Sequence, residues 1–229
     1  MEISRLRSAF YTSATRTLLA LTLSLPFMPP PALGQEDKSQ GTEQAQRRTV
    51  VTWGDSIGNA IGRSVSHDFA RVTNLGKDGS GLLIANHSNP LDSVPAGAVV
   101  LMSIGTNDVG PLMGSGSRAI NNYAEMVVTA AQNVQLQGAT PVIIGMQAPT
   151  GPYTGNLKLW SRPGFLESWV ETMHKVNAAI ELAAKKHHIV YSKVEGRVAE
   201  RNADHLHYTE QGSRHIAENA FRDAGLKFR

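Results

Sequence analysis

The stretch VVTWGDSIGN, residues Val50 to Asn59, joins an apolar run to a polar turn and a possible helix start. Thr49 to Trp53 has the β-branched and apolar composition of a strand, and residues from Ile57 to about Phe69 are compatible with a helix. A serine at such a junction, here Ser56, is most often a helix N-cap. The alternative is a nucleophile near the positive end of the helix dipole, which needs a base, an orienting acid and oxyanion donors elsewhere in the chain.

Downstream of this junction, strand-like and helix-like segments alternate. The further predicted strands are Arg71 to Thr73, Ala98 to Ile104, Pro141 to Met146 and Ile189 to Ser192. The further predicted helices are Ile120 to Leu136, Leu166 to Lys186 and Thr209 to Ala224. This alternation predicts right-handed βαβ units and an α/β fold, a three-layer α/β/α sandwich with a roughly five-stranded parallel sheet. In such sheets ligands bind at the carboxyl ends of the strands.

Composition excludes several kinds of site. The chain has 229 residues, enough for one sizeable domain. It contains no cysteine, which excludes disulfides, thiolate metal sites and a cysteine nucleophile. The formal net charge is +3, but three of the arginines lie in the first 34 residues. The rest of the chain is therefore close to neutral and gives no case for nucleic-acid binding.

The N-terminal region has the features of a targeting segment. Residues 1–34 combine arginines, an apolar run from Leu18 to Met28 that is too short to span a bilayer, and small residues near Gly34. We interpret them as a signal peptide; the alternative is an uncleaved membrane anchor. Residues 35–48 are polar and predict a disordered linker to a domain at 49–229. We expect an exported protein, periplasmic or secreted, with no stable membrane span after cleavage.

Two loops that follow predicted strands contain candidate oxyanion donors. In VTNLGKDGSG, Val72 to Gly81, several glycines allow the backbone to approach a ligand closely, so that a free N–H can face an oxyanion. In IGTNDVG, Ile104 to Gly110, the Asn107 carboxamide is a neutral donor of the kind that suits an oxyanion hole. The alternatives are a flexible loop for the first stretch and an ordinary turn residue for the second.

The strongest candidate segment is NADHLHYTEQG, Asn202 to Gly212. Asp204 and His207 are three residues apart, and at that spacing the carboxylate can hold one ring nitrogen of the histidine. The other nitrogen is then free to take a proton from a serine, whereas His205 is expected to point elsewhere. The alternative is a polar helix entry with Thr209 as the cap. Since all these candidates follow strands at one sheet edge, they form a complete set for nucleophilic catalysis.

With these four blocks the sequence resembles the SGNH, or GDSL-type, hydrolase superfamily. The matching blocks are GDSI (Gly54 to Ile57, with Ile for the usual Leu), NLGKDG (Asn74 to Gly79), GTND (Gly105 to Asp108) and DHLH (Asp204 to His207). The resemblance covers roughly Val50 to Leu226. It implies a flavodoxin-like strand order 2-1-3-4-5, ester hydrolysis through an acyl-enzyme, and no cofactor. No metal site is predicted, because the histidines show no ligand spacing.

The resemblance also implies a role for each matching residue. The catalytic residues are Ser56 as nucleophile, His207 as base and Asp204 as orienting acid. The oxyanion donors are the N–H groups of Ser56 and Gly79 and the carboxamide of Asn107, with Gly81 as the alternative to Gly79. Asp55 is expected to hold the turn without joining the chemistry.

Three other features have less specific interpretations. The long loop Gln147 to Gly164 follows the fourth strand, and its Tyr153 and Trp160 either contact a sugar or acyl group or pack the loop onto the domain. Trp169 is expected in the core. The KKHH segment, Lys185 to His188, is interpreted as a helix end and not as a metal or polyanion site. The glycosylation pattern at Asn86 to Ser88 is taken as incidental.

These observations predict an exported serine esterase acting on acetyl or other short-acyl esters, with a preference for small-molecule or carbohydrate esters. The alternatives at the same site are an O-acetyltransferase, a lysophospholipase and a thioesterase. A non-catalytic carbohydrate-binding or assembly protein is the alternative from a different class.

Overall fold

The computed structural model describes residues 48–84, 91, 94–194 and 200–228. Its strands are β1 (Thr49–Gly54), β2 (Arg71–Gly76), β3 (Val99–Ser103), β4 (Thr140–Ile144) and β5 (Val190–Ser192). Its α-helices are α1 (Ser56–Ser64), α2 (Val109–Leu112), α3 (Ser117–Leu136), α4 (Leu157–Trp160), α5 (Phe165–Lys186) and α6 (Glu210–Asp223). A short 3₁₀ turn, Thr154–Asn156, directly precedes α4.

The five strands form one parallel sheet in the order β2-β1-β3-β4-β5. This order confirms the predicted α/β fold and the order 2-1-3-4-5 implied by the resemblance. Because all the strands run in the same direction, their carboxyl ends meet along one edge of the sheet. The sheet therefore gathers the loops after β1, β2, β3 and β4, which contain most of the candidate residues.

The core lies on both faces of the sheet. Every residue of β3 is buried, as expected for a strand covered by helices on each side. Alternate residues of β3 contact different layers, so Val100 and Met102 pack with residues of α3 and α5, while Val99 and Leu101 pack with residues of α1 and α6. Trp169 of α5 is buried in the first of these clusters, which confirms its predicted place in the core.

The observed elements differ from the predicted ones mainly at their ends. Helix α1 stops at Ser64 and does not reach Phe69, because the hydroxyls of Ser64 and Ser66 bond to the carbonyls of Ile61 and Arg63. Phe69 instead stacks on Phe221 of α6 with ring centroids 5.1 Å apart. The short helices α2 and α4 were not predicted, because four residues are too few to show helical periodicity.

Several predictions concern residues outside the described ones: the signal peptide at 1–34, the linker up to residue 47 and the glycosylation pattern at Asn86 to Ser88. Among the residues that are described, no helix combines the length and apolar character needed to cross a bilayer. The KKHH segment ends α5, as interpreted from its sequence. His187 is the helix C-cap, and its Nδ1 lies 3.1 Å from Nε2 of Gln132 on α3.

Candidate active site

The turn after β1 depends on Gly54. Its φ of 149° lies in the region that favours glycine, and a Cβ at this position would lie 1.7 Å from the carbonyl oxygen of Ser103. The next residue, Asp55, donates its N–H to the same carbonyl at 3.1 Å. The chain therefore crosses tightly beside β3 and places the next two side chains at the carboxyl edge of the sheet.

Asp55, and not Ser56, is the N-cap of α1. The Oδ1 atom of Asp55 accepts the N–H of Ile57 at 2.9 Å, and its Oδ2 accepts the N–H of Thr106 in the loop after β3 at 3.2 Å. Ser56 is consequently the first residue of the helix, and its hydroxyl is not used as a cap. Asp55 thus holds the turn, as expected from the sequence, and also ties two of the site's loops together.

The protonation of Asp55 should make the free energy of unfolding depend on pH. Asp55 is fully buried, and burial, partly offset by hydrogen bonds from Ile57 and Thr106, raises its pKa from 3.8 to about 6. Between about pH 4 and pH 6 the folded protein then holds a proton that the unfolded chain has lost. The contribution of Asp55 to the free energy of unfolding therefore falls by roughly 3 kcal/mol as the pH rises through that window, and it is constant above the window.

Urea unfolding of the wild type and of Asp55→Asn at pH 4, 5, 6 and 7 measures this effect. The stability advantage of the wild type over the variant is expected to shrink from pH 4 to pH 6 and then to level off. The asparagine cannot titrate, so the variant lacks only the pH dependence of the free energy of unfolding that comes from this carboxyl. A difference that stays constant over the whole pH range would contradict the assignment.

The structure brings Ser56, His207 and Asp204 into one chain of hydrogen bonds. The Ser56 Oγ lies 2.8 Å from Nε2 of His207, and Nδ1 of His207 lies 2.6 Å from Oδ2 of Asp204. The other carboxylate oxygen of Asp204 accepts the N–H groups of Leu206 at 3.0 Å and of His207 at 2.9 Å. Two of the three residues therefore come from the loop before α6 and the third from the start of α1.

The electrostatics of Asp204 fix the proton positions in this chain. Burial alone would raise its pKa, but hydrogen bonds from the His207 ring and from the two N–H groups outweigh that effect and lower the pKa. An ionised carboxylate can only accept, so Nδ1 of His207 is assigned as the protonated nitrogen. Nε2 is then a lone-pair acceptor aimed at the hydroxyl of Ser56, an arrangement able to remove the serine proton.

Hydrogen bonds join the loop after β2 to the loop after β3, where the candidate oxyanion donors lie. Asn107 donates one carboxamide hydrogen to the carbonyl of Ser80 at 2.8 Å, which leaves its second amide hydrogen available. The neighbouring Asp108 is buried and accepts the N–H groups of Leu82 and Leu83 at 2.8 and 2.9 Å. It also accepts the hydroxyl of Tyr123 at 2.8 Å. These bonds hold the Asn107 side chain beside the glycine-rich turn.

The two glycines that were alternatives for the backbone donor have different surroundings. Gly81 is buried, and a Cβ there would lie 2.3 Å from Oδ1 of Asp108, so close packing explains the need for glycine. Gly79 is exposed at a φ of +72°, and a Cβ there would meet no atom within 4 Å. Within the described residues, the N–H of Gly79 has no hydrogen-bond acceptor. Gly79 therefore has the open space beside it that a ligand atom would require.

The two candidate aromatic residues in the loop after β4, Tyr153 and Trp160, contact each other edge to face with ring centroids 6.2 Å apart, but their other neighbours differ. The ring of Tyr153 lies 5.7 Å from the ring of His207, in an edge-to-face arrangement. Trp160 is buried, and its ring is 5.3 Å from Phe165 and 5.4 Å from Trp169. For Trp160 these contacts favour the packing interpretation. Tyr153 is the residue of this pair that lies beside the catalytic candidates.

Sequence reasoning missed Arg201, which connects the histidine loop to the loop after β4. Its guanidinium donates to the carbonyls of Gln147 and Ala148 at 3.1 and 2.9 Å and to the carbonyl of Leu206. It also lies 4.4 Å from the centre of the Tyr208 ring. No motif marks an arginine at this position, since Gln147 and Ala148 are more than fifty residues earlier and only the fold brings them to it.

A second connection joins the same two loops. Thr150 donates its N–H to the carbonyl of His205 at 3.0 Å, and its hydroxyl lies 3.3 Å from Nδ1 of His205. His205 adopts a left-handed φ of 65°, which is uncommon for a residue with a side chain. Its ring thus contacts Thr150, in agreement with the expectation that it points elsewhere than His207.

Comparisons with known proteins concern the fold. No protein-family model matches the sequence, and no curated protein matches it. A carbohydrate acetylesterase from Sinorhizobium meliloti is 12% identical with a TM-score of 0.58, over 78% of this chain and 99% of that one. An aryl esterase from M. smegmatis is 13% identical with a TM-score of 0.57, over 78% and 99%.

A GDSL-like lipase from Bacteroides thetaiotaomicron is 19% identical with a TM-score of 0.54, over 80% of this chain and 88% of that one. The chain therefore has the fold of the SGNH, or GDSL-type, hydrolases. At the level of the fold, this confirms the resemblance identified from the four sequence blocks.

Proposed function

We propose that this protein is a serine esterase of the SGNH type that hydrolyses carboxylic esters with acetyl or other short acyl groups. The observation that carries the proposal is the chain of hydrogen bonds from Ser56 through His207 to Asp204 at the carboxyl edge of the sheet. Solved structures of the same fold include an aryl esterase and a carbohydrate acetylesterase. We further propose that the protein is exported and that its esters are those of carbohydrates.

The mechanism follows from the proton positions in this chain. Nε2 of His207 takes the hydroxyl proton as Ser56 Oγ attacks the ester carbonyl carbon, and the carbonyl oxygen becomes an oxyanion. When the tetrahedral intermediate collapses, the bond to the leaving oxygen breaks and His207 protonates the departing alcohol. Water, deprotonated by His207, then attacks the acyl-enzyme and releases the carboxylic acid, and the proton returns to Ser56. Asp204 stabilises the imidazolium in both halves of the reaction.

The oxyanion is bound by three donors in this proposal. They are the N–H groups of Ser56 and Gly79 and the second amide hydrogen of Asn107. The first N–H lies at the positive end of α1. Asp55 accepts the neighbouring N–H of Ile57, and within the described residues the N–H of Ser56 has no acceptor. The donors are neutral, so they bind more strongly as negative charge develops on the carbonyl oxygen.

Asn107→Ala is expected to lower kcat for 4-nitrophenyl acetate by about 10² to 10³, with little change in KM. The physical reason is that the lost donor acts mainly on the transition state. Asn107→Asp is the matched control, because it keeps the size of the side chain while replacing the donor by an acceptor, and it should be at least as inactive. An Asn107→Ala variant within threefold of wild-type kcat would remove this residue from the oxyanion site.

Labelling with a serine-directed fluorophosphonate tests the proposed function as a whole. We expect the wild type to be labelled and Ser56→Ala to remain unlabelled, with unfolding curves showing that both proteins are folded. Failure of the folded wild type to label would instead favour a non-catalytic binding protein. Rates on 4-nitrophenyl acetate and on a long-chain 4-nitrophenyl ester then separate a short-acyl esterase from a lysophospholipase or thioesterase. Acyl transfer to an added oligosaccharide, in place of release into buffer, would identify an O-acetyltransferase.

A further inference from the structure

A polar groove starts at Ser56 and runs along one face of α1. Ser56, Ala60 and Arg63 are spaced i, i+4 and i+7, so they lie on the same side of the helix over about 10 Å of its axis. A cavity of about 240 Å³ beside the triad is lined by these residues together with Asp78, Asn202 and Tyr208. It continues into a cavity of about 310 Å³ between α1 and the start of α6, where Ser213 is one of the lining residues.

The groove offers hydrogen-bonding groups of both kinds. Within the described residues, the guanidinium of Arg63 has no hydrogen-bond or ion-pair partner. Asp78 accepts the Asn59 side chain through Oδ1, which leaves Oδ2 available. The hydroxyl of Ser213 is fully buried and has no hydrogen-bond partner in the described part of the chain. Such a lining suits a ligand with several hydroxyl groups, each of which both donates and accepts.

The proton path shows which part of an ester lies in this groove. The leaving oxygen must receive its proton from Nε2 of His207, so the alcohol lies on the His207 side of Ser56. Asp204 and His207 line the smaller cavity, whereas the proposed oxyanion donors Gly79 and Asn107 do not. The groove is therefore on the alcohol side of the scissile bond, and its small Ala60 side chain leaves room for groups beyond the leaving oxygen.

The charges in the groove further restrict the class of alcohol that it can bind. Arg63 contributes one positive charge, while Asp78, Glu210 and Asp204 of the triad contribute negative ones. A site of mixed sign does not favour an alcohol with its own phosphate or carboxylate. Planar charged side chains of both signs are suited to neutral hydroxyl groups, because charge-assisted hydrogen bonds are the stronger ones.

We propose that this groove binds the leaving alcohol of the substrate and selects a polyhydroxylated one, with Arg63 and Asp78 as the specificity-determining residues. The inference rests on the proposed esterase function and adds to it the surface and the two side chains that would recognise the alcohol half of the substrate. A sugar and a glycerol unit share this chemistry, and their acetyl esters can be compared directly.

The test compares three acetyl esters that differ only in the alcohol: 6-O-acetylglucose, glyceryl monoacetate and ethyl acetate. The wild type is expected to hydrolyse at least one of the two polyol esters with a kcat/KM at least about tenfold above that for ethyl acetate, because each hydrogen bond to a charged group contributes a factor of this order. The preferred polyol ester identifies the source as sugar or glycerol. Arg63→Met should lower the ratio of that ester to ethyl acetate about tenfold, and Ala60→Met should lower it by filling the groove.

Arg118→Met is the matched control, since Arg118 is an exposed arginine on α3 that does not line the groove, and it should leave all three rates unchanged. Ratios within twofold of wild type in both Arg63→Met and Ala60→Met would overturn the inference while leaving the esterase intact. So would a wild type without preference among the three esters. A folded wild type that hydrolyses neither these esters nor 4-nitrophenyl acetate would overturn the proposed function, and the inference with it.

Discussion

Ser56→Ala is expected to lower kcat for 4-nitrophenyl acetate by at least about 10⁴, down to the rate that binding and the oxyanion donors support without a nucleophile. The reason is the 2.8 Å bond between Ser56 Oγ and Nε2 of His207, which makes this hydroxyl the one that can lose its proton during attack. The loss should appear in kcat, and KM should change little, because the serine hydroxyl contributes little to binding the ground state.

Double substitution provides the sharper form of this prediction. His207→Ala should cost about as much as Ser56→Ala, and the double variant should be no slower than either, because a nucleophile and its base act as one unit. Multiplied losses in the double variant would mean that the two residues act independently, which the geometry forbids. Full activity of Ser56→Ala would falsify the mechanism outright.

Ser66→Ala is a suitable control for the serine substitution. Ser66 is exposed, lies just beyond α1, and its hydroxyl bonds to the carbonyl of Arg63 and not to any residue of the triad. We expect this variant to keep the wild-type kcat. Equal losses in both serine variants would point to a general effect of substitutions near α1 and not to nucleophilic catalysis.

The parts of the fold that were predictable are those carried by local patterns. The uninterrupted apolar run of β3 marks a strand buried on both faces, and the alternation of strands with helices limits the sheet to parallel topologies. Asp204 and His207 were predictable as a pair for a similar reason, because three residues of separation already bring their side chains within reach. The pairing of His207 with Ser56, 151 residues away, was accessible only through the rule that ligands bind at the carboxyl edge of such sheets.

What could not be predicted depends on contacts between loops that are distant in sequence. Asp55 was recognisable as a turn residue, but its bond to Thr106 requires the register of β1 against β3. Arg201 bonds to carbonyls more than fifty residues earlier, and no local pattern encodes that. Trp160 had two equally reasonable interpretations, because burial against Phe165 and Trp169 is decided by how the whole loop folds back.

The second large effect is expected from Asp204→Asn. This substitution replaces one carboxylate oxygen by an NH₂ group and should lower kcat by about 10⁴. Oδ1 of Asp204 accepts two backbone N–H groups, from Leu206 and His207, so the carbonyl oxygen of an asparagine must take that position. Its NH₂ group then faces Nδ1 of His207, which can accept that hydrogen bond only when unprotonated. The proton is forced onto Nε2, where it blocks the acceptor that Ser56 needs.

Asp204→Ala separates this tautomer effect from the loss of the negative charge. Alanine removes the charge as asparagine does, but it leaves His207 free to carry its proton on either nitrogen. We therefore expect Asp204→Asn to be less active than Asp204→Ala, although asparagine is the closer mimic in shape. Nitrogen NMR of the His207 ring should show the proton on Nε2 in the asparagine variant and on Nδ1 in the wild type. An asparagine variant that is more active than the alanine variant, or that keeps the wild-type tautomer, would show that Asp204 does not set the proton position on which the mechanism depends.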